Sequence, residues 1–520
     1  MAWFEEADGD GSERGVRQPA GRPETSMAMM DRRGFLRSGG MAGACAVSAA
    51  AARGAPNLVL ILADDLGYGD LSCYGHSTII TPHLDGMARE GMRFTQFYSA
   101  APLCGPSRAA LMTGRLPIRS GLTRNLFPWS EGGIPDREIT VAQMLKKAGF
   151  ATMCVGKWHL GHLPRYLPTS HGFDDYFGIP YSNDMSKATN PRAAWADKTP
   201  PTPLIRGEKT IEQEPDQSLL TRRYTEVATE FIRKSSRAGK PFFLYMPYTA
   251  PHWPLAASDR FRGKSLEGLY GDVVEEIDWS VGEILRVLRE QKVDRNTLVL
   301  FTSDNGAEGG SAGPFRDGKV TTWEGGVRVP CIAWWPGKTP AGVVTPAFGS
   351  TLDLFPTFVK LAGLEMVMPQ SPGVPGGISF SLSRAVVESG PDKLKLIPQG
   401  VQHFPETEAL LEMPKDRVFD GEDLTAVLLR NDPGREPLLF YYSDENVQAV
   451  RKGRWKLHVA VNNRKTPPPP GEGEPPLLFD VQQDISERRN LARRRPEVVK
   501  ELLELIERHK ASITRAPIQQ

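Results

Sequence analysis

Cysteine is scarce in this chain. Five residues in 520, Cys45, Cys73, Cys104, Cys154 and Cys331, are too few for a disulfide framework, and an odd number leaves at least one unpaired. Cys154 and Cys331 read as small buried hydrophobes. Excess charge of either sign is also missing. The 63 Lys and Arg against 62 Asp and Glu leave +1, which argues against a nucleic-acid partner or an acidic membrane surface. Any basic residue that matters acts locally. No apolar run is long enough for a transmembrane span; the best candidate, Gly39 to Ala52, is short and rich in Ala and Gly. Internal repeats are absent. What remains is an ordinary globular composition, 40% hydrophobic and 24% charged, enough for a substantial core. Length alone suggests about three domains.

Residues 1–55 read as a tail and targeting segment rather than fold. Met1 to Thr25 is polar, Gly-rich and without periodicity, the composition of a disordered segment. Asp31-Arg32-Arg33-Gly34-Phe35-Leu36-Arg37 then precedes the weakly apolar run. The arrangement resembles a bacterial twin-arginine export signal. It predicts a periplasmic or extracellular protein, with translation starting at Met27, Met29 or Met30 and cleavage near Ala49–Ala52. Lipid attachment at Cys45 is the weaker alternative, because Ala42 stands where a lipidation signal carries Leu. A basic disordered tail is the rival reading.

From Asn57 the texture changes. Asn57 to Ala63, Phe150 to Val155, Phe242 to Met246 and Leu298 to Thr302 are continuous apolar runs, as expected of buried parallel strands. Between them lie helical patterns, such as Val273, Ile277, Val281, Ile284 and Leu288. Alternation of this kind predicts an α/β domain over residues 56–365, a large mostly parallel sheet sandwiched by helices. Residues 366–413 are rich in Pro, Gly and Ser and read as an insertion or loop. Residues 414–520 read as a smaller α+β subdomain with an antiparallel sheet. Its strands are Leu438 to Tyr442, Val447 to Arg451, Trp455 to Val461 and Leu477 to Val481, its closing helix Glu497 to Lys510, and Pro467 to Pro470 an exposed loop.

Each of the four long strands runs into polar residues: Asp64-Asp65, Gly156-Lys157-Trp158-His159, Pro251-His252 and Asp304-Asn305-Gly306. Ligands of open parallel sheets bind outside the carboxyl ends of the strands, so one crevice can gather all four groups. Three carboxylates and an amide offer only oxygen, which suits a hard cation such as Ca²⁺ or Mg²⁺. Helix capping or turn formation is the competing role for any one pair; two pairs after two strands favour the metal. Arg108, Lys157, Lys319, His159 and His252 form a cationic set. Cations and a metal together imply a tetrahedral anion, phosphate or sulfate. Cys104 precedes Pro106 and Ser107, which suit a helix start, so it lies just before a helix N-terminus, where an anion is favoured. By chemistry alone, a Cys104 thiolate or Ser107 is a candidate nucleophile.

Cys104-Gly105-Pro106-Ser107-Arg108, continuing to Leu111-Met112-Thr113-Gly114, resembles the motif of the sulfatase family. So do Gly149 to His159, Asp304-Asn305-Gly306, Lys319, Trp323-Glu324-Gly325-Gly326-Val327-Arg328, and Ala449-Val450-Arg451 through Trp455-Lys456-Leu457. The resemblance covers Asn57 to Ala492 apart from 366–413, and is nearest the arylsulfatase A and N-acetylgalactosamine-6-sulfatase branch. It implies an alkaline-phosphatase-like fold and hydrolysis of an aryl or carbohydrate sulfate ester. It implies that a separate generating enzyme oxidises Cys104 to formylglycine. One hydroxyl of the hydrated aldehyde then attacks sulfur, with Asp304 as base and His252 protonating the leaving alcohol. The sulfated diol collapses with help from His159, and sulfate departs. Arg108 steadies the diol, and Lys157 and Lys319 hold sulfate oxygens. One Ca²⁺ is bound by Asp64, Asp65, Asp304 and Asn305, with residue 104 beside them.

Other residues carry less. His76, His83 and His162 match no required role, and His171 reads as fixing a turn. Trp253 and Tyr181-Ser182-Asn183-Asp184 line a pocket or simply pack. Two rivals remain at this level: a phosphodiesterase or phosphonate hydrolase on the same fold, and a non-catalytic protein that binds sulfated glycans. Many phosphodiesterase relatives carry Asp-His where this chain has Asp304-Asn305.

Overall fold

In a computed structural model, the described residues are 54–366, 409–411, 417–461, 473–514 and 516–519. The export-signal, start-site and Cys45 readings fall outside them, as do most of 366–413 and the Pro467–Pro470 loop.

The first strand sets the pattern. β1 (Asn57–Ala63) is buried along its whole length. Its side chains alternate between two cores, Leu58, Leu60 and Leu62 in one and Val59, Ile61 and Ala63 in the other. A strand apolar on both faces must be covered on both. Helices Cys104–Thr113, Val141–Lys147 and Leu354–Leu361 pack on the first face. Helices Pro82–Glu90, Leu220–Arg237 and Gly268–Glu290 pack on the second.

The other strands of this sheet are β2 (Met92–Tyr98), β3 (Ala151–Val155), β4 (Asp175–Gly178), β5 (Pro203–Arg206), β6 (Lys209–Gln213), β7 (Phe242–Pro247), β8 (Thr297–Ser303), β9 (Arg328–Trp334) and β10 (Val343–Ser350). Their order is β10-β2-β9-β8-β1-β7-β3-β4-β5-β6. The centre, β8-β1-β7-β3-β4, is parallel, as the alternation of strands and helices requires. The flanks are mixed: β9 runs against both neighbours, and β5 and β6 form an antiparallel edge.

Short strands β11 (Leu364–Met366) and β12 (Ala409–Leu411) pair in parallel at the ends of the Pro- and Gly-rich stretch. The C-terminal sheet is antiparallel, β13 (Leu438–Ser443), β14 (Asn446–Lys452), β15 (Trp455–His458) and β16 (Leu477–Asp480). Helix Pro496–Ser512 covers it through Leu502 and Ile506. No described helix is long and apolar enough to cross a membrane.

Buried charges join this sheet to the segment after Lys319. Lys456 Nζ lies 2.9 Å from Glu324 Oε1 and 3.4 Å from Glu487 Oε1, all three side chains fully buried. Tyr98 Oη donates to Glu324 at 2.6 Å, and the Glu324 N–H to Glu487 at 2.6 Å. His458 Nε2 lies 2.8 Å from Glu487.

Candidate active site

Register brings the strand ends together. Leu62 pairs with Thr302 on one side and Pro247 on the other, and Cys154 pairs with Tyr245. The Asp64 N–H then donates to Ala250 O at 3.0 Å, Asp304 N–H to Ala63 O at 3.1 Å, and Lys157 N–H to Pro247 O at 2.7 Å. The four polar groups expected at one sheet edge therefore do meet.

Asp64, Asp304 and Asn305 are fully buried and Asp65 nearly so. Asp65 has φ of 67°, a left-handed conformation that Asp tolerates better than most residues. Its N–H donates to Asp304 Oδ1 at 3.2 Å, and Asn305 Nδ2 donates to Asp65 Oδ1 at 2.7 Å. Asn305 Oδ1 is buried and has no hydrogen-bond partner among the described residues. A buried acceptor without a donor costs about 1–3 kcal/mol, and a cation satisfies it. Burial pushes the Asp304 carboxyl up to about 7 against the pull of Arg108, with Asp64 and Asp65 adding to the rise. Burial acts on Asp64 too, but Lys157 and Arg108 outweigh it and hold that carboxyl well below its usual range. Carboxylates this close need further positive charge to be ionised together, and oxygen donors of this kind fit a hard divalent ion.

Cys104 is the first residue of helix Cys104–Thr113, not the residue before it. The helix begins two residues earlier than Pro106 suggested. Proline at the third position loses only an N–H that has no partner in the first turn anyway. The Ser107 N–H closes that turn on Leu103 O at 3.0 Å. Cys104 Sγ lies 3.9 Å from Asp65 Oδ1. Potential ligand atoms of Asp64, Cys104 and Asp304 lie within 4.8 Å of one another, as do those of Asp65, Cys104 and His252. Burial pushes the Cys104 thiol well above its ordinary range; Lys157 and Lys319 pull it back, while Asp64 and Asp304 add to the rise. A protonated thiol is a poor nucleophile, so a bare thiolate is disfavoured here. Ser107 is also fully buried, and its hydroxyl makes no hydrogen bond among the described residues.

The cations line the same space. Arg108 donates through Nε to Asp304 Oδ2 at 2.9 Å and through Nη1 to Lys157 O at 2.7 Å, and its Nη2 reaches Asp304 at 2.8 Å and Asp64 at 3.2 Å. Lys157 Nζ donates to Asp64 at 2.6 Å and to Ser182 Oγ at 3.0 Å. Lys319 Nζ bridges Asp65 at 2.6 Å and Glu308 at 2.8 Å. His252 Nε2 lies 3.5 Å from Asp65 Oδ2, and its Nδ1 donates to Trp253 O. His159 Nε2 donates to Leu126 O at 3.1 Å, leaving Nδ1 without a partner among the described residues. Burial, with Lys157 and Arg108, drives the His159 pKa well below its usual value, so this imidazole is neutral with a free acceptor.

All seven residues expected to do chemistry thus belong to one cluster. Three partners carried no sequence signal of this role. Glu308 holds Lys319, and its carboxyl is lowered to about 2: burial opposes ionisation, but Lys319 outweighs it. Asn125 Oδ1 accepts the Gly105 N–H at 2.9 Å. Ser182, readable only as pocket lining or packing, holds Lys157. Four histidines outside the cluster make local contacts. His76 Nδ1 accepts the Ile79 N–H at 3.0 Å, His83 packs at Gly282, His162 meets Tyr181 edge-on, and His171 is buried beside Trp158.

A cysteine at a helix start, buried cationic side chains and a cluster of buried oxygen donors, all at the carboxyl edge of a parallel sheet, fit a hydrolase for esters of a tetrahedral oxyanion. The chain belongs to the sulfatase family and is a sulfuric-ester hydrolase. The Sulfatase family model matches residues 56–364, and the model for the C-terminal region of aryl-sulfatase matches 434–520. N-acetylgalactosamine-6-sulfatase of Canis lupus familiaris is 41% identical over 439 residues, 80% of this chain and 74% of that protein. Arylsulfatase A of Homo sapiens is 37% identical over 489 residues, 86% of this chain and 87% of that protein. Among solved structures, the PsFucS1 sulfatase from Pseudoalteromonas sp. superposes with a TM-score of 0.71 at 27% identity, covering 90% of this chain and 94% of that one. Ps i-CgsB in complex with k-i-k-neocarrahexaose gives 0.68 at 28% identity, covering 87% and 92%.

Proposed function

We propose that this sulfatase acts on a sulfated sugar, with residue 104 in its formylglycine form and one Ca²⁺ beside it. The observation that carries the reading is the position of Cys104: Sγ lies 3.9 Å from Asp65 Oδ1, among Asp64, Asp304, Arg108, Lys157 and Lys319, with its thiol disfavoured as a nucleophile. Formylglycine there would supply a hydrated aldehyde whose hydroxyl takes the sulfuryl group from the ester and releases sulfate as the aldehyde returns. A cation held by Asp64, Asp65, Asp304 and Asn305 would supply positive charge for the attacking and sulfuryl oxygens.

The chain's own side chains do the rest. Lys157 and Lys319 hold sulfuryl oxygens, and Arg108 fixes Asp304 and residue 104. Asp304 takes the proton of the attacking hydroxyl. His252 gives a proton to the leaving alcohol through Nε2, and neutral His159 accepts the second hydroxyl proton at Nδ1. The likeness to N-acetylgalactosamine-6-sulfatases supports a sugar sulfate as substrate. Modification requires a formylglycine-generating enzyme as partner. Export through Arg32-Arg33 belongs to the same proposal, and a twin-arginine route carries folded protein, so oxidation precedes export.

The test is mass spectrometry of the peptide containing residue 104, together with turnover of 4-nitrophenyl sulfate and a paired phosphate ester. The expected result is an aldehyde at 104 and strong preference for sulfate. A thiol at 104 in fully active enzyme would overturn the formylglycine reading, and equal turnover of the two esters would favour a phosphoesterase.

A further inference from the structure

Two loops leave the catalytic centre and meet again outside it. Loop 124–130 is tied down where Asn125 Oδ1 accepts the Gly105 N–H, next to Cys104, and where Leu126 O accepts from His159. Trp129 follows three residues later and is 48% exposed. The second loop starts at Ser182, the partner of Lys157, and carries Trp195. Phe127 stacks on Trp129 with ring centroids 4.7 Å apart and planes 8° apart. Trp195 leans toward the same indole at 5.8 Å and 52°.

A core role does not account for Trp129, because nearly half of it faces solvent. A mobile surface residue does not either, because Phe127 braces one face and Trp195 a second direction. Braced, exposed aromatic surface beside a catalytic centre marks a ligand contact. The surroundings choose the ligand. Arg124, Glu131 and Lys198, all exposed, lie within a few residues of the two indoles. A flat, wholly apolar ligand would have charged residues of both loops as neighbours. A pyranose ring has one face of C–H groups for an indole and a rim of hydroxyls for polar neighbours.

Trp129 is four residues from Asn125, so its backbone is at most about 14 Å away along extended chain. That is the reach of a ring or two from a sulfate held at residue 104. We infer that Trp129, Trp195 and Phe127 form a sugar-binding shelf that stacks a pyranose ring of the substrate on the leaving-group side. This rests on the sulfatase reading and adds that specificity for glycan over simple sulfates is built into these two loops.

The experiment compares wild type, Trp129→Ala, Trp195→Ala and Trp129→Phe on two probes. One is 4-nitrophenyl sulfate. The other is a chondroitin oligosaccharide ending in N-acetylgalactosamine 6-sulfate. Loss of the shelf should lower kcat/KM for the oligosaccharide about tenfold or more in the two alanine variants and change aryl sulfate turnover less than about twofold. Trp129→Phe should recover most of the loss, and melting temperatures should not move. Equal loss on both probes overturns the shelf, as does no loss on either. Wild type that cleaves the aryl sulfate but not the oligosaccharide also overturns it. Wild type that cleaves neither refutes the underlying sulfatase reading instead.

Discussion

Replacing Lys456 by Met isolates the worth of the buried charges beneath the Lys319 segment. Met keeps most of the stem volume and removes the ammonium. The loss leaves Glu324, 2.9 Å away, and Glu487, 3.4 Å away, with one fewer cation in a fully buried site. At an effective dielectric of about 20, contacts at such distances are worth about 5 kcal/mol each in gross Coulomb energy. Relief of the desolvation of Lys456 offsets much of this. Arg328 remains 3.2 Å from Glu324, and Tyr98 still donates to it. Breaking one partner of a buried pair costs about 3–5 kcal/mol net, and that is the expected drop in unfolding free energy at pH 8. His458, 2.8 Å from Glu487, is held below its usual pKa by burial, with Lys456 contributing in the same direction. Removing Lys456 lifts one of those causes, so His458 can take up a proton and replace the lost charge. The deficit should therefore shrink as pH falls from 8 toward 5.5. Adding Glu487→Gln should recover part of it, since both charges then go together. Urea unfolding with an unchanged m-value is the assay. A loss under about 1 kcal/mol, or a deficit independent of pH, would refute the argument that these charges act as a closed buried set.

Three further outcomes follow from the site and the fold. Cys104→Ala should lower sulfate-ester turnover at least about a thousandfold with unfolding free energy changed by less than about 1 kcal/mol, because residue 104 serves the proposed chemistry rather than core packing; retained activity in a steady-state assay would remove it from the chemistry. Asn305→Ala, which deletes the unpartnered Oδ1, should raise the calcium concentration for half-maximal activity about tenfold or more, checked by titration after chelation, and an unaltered calcium requirement would exclude it as a ligand. Asp278 accepts the N–H groups of His83 and Leu84, and burial raises its carboxyl to about 7, above its unfolded value. Its stabilising effect is thus complete below pH 4 and lost as pH rises through 7, so Asp278→Asn should flatten the fall in stability between pH 4 and 7; an unchanged slope in urea titrations would refute this.

The parts of the site legible in the sequence share a cause. Asp64, Lys157, His252 and Asp304 each follow an apolar run, and parallel pairing carries the end of every such run to one edge. The run marks the strand, and the strand fixes the position. Mixed flanks were not legible for the complementary reason. β9 has an apolar sequence that suits either direction, and only its pairing with both β8 and β2 sets it antiparallel. Cys104 as the first helical residue was missed because Pro106 is an ambiguous signal anywhere in a first turn.

Glu308, Asn125 and Ser182 show where strand-end reasoning stops. Each sits in a loop, and each acts on a residue outside its immediate neighbourhood in sequence: Glu308 on Lys319, Asn125 on Gly105, Ser182 on Lys157. Their side chains are common loop residues with no periodicity to mark them. Yet two of them, Glu308 and Ser182, help to hold the lysine ammoniums. Lys157 and Lys319 are each held by one acidic residue of the cation cradle and one loop residue outside it. An ammonium held by the cradle alone would compete with a metal for the same oxygens. The loop partner gives each lysine a second acceptor, so that the proposed binding of a cation by the acidic residues and of sulfate by the lysines need not exclude each other. The acidic and basic side chains stand at the strand ends, and the loop acceptors that share the lysines have no sequence mark.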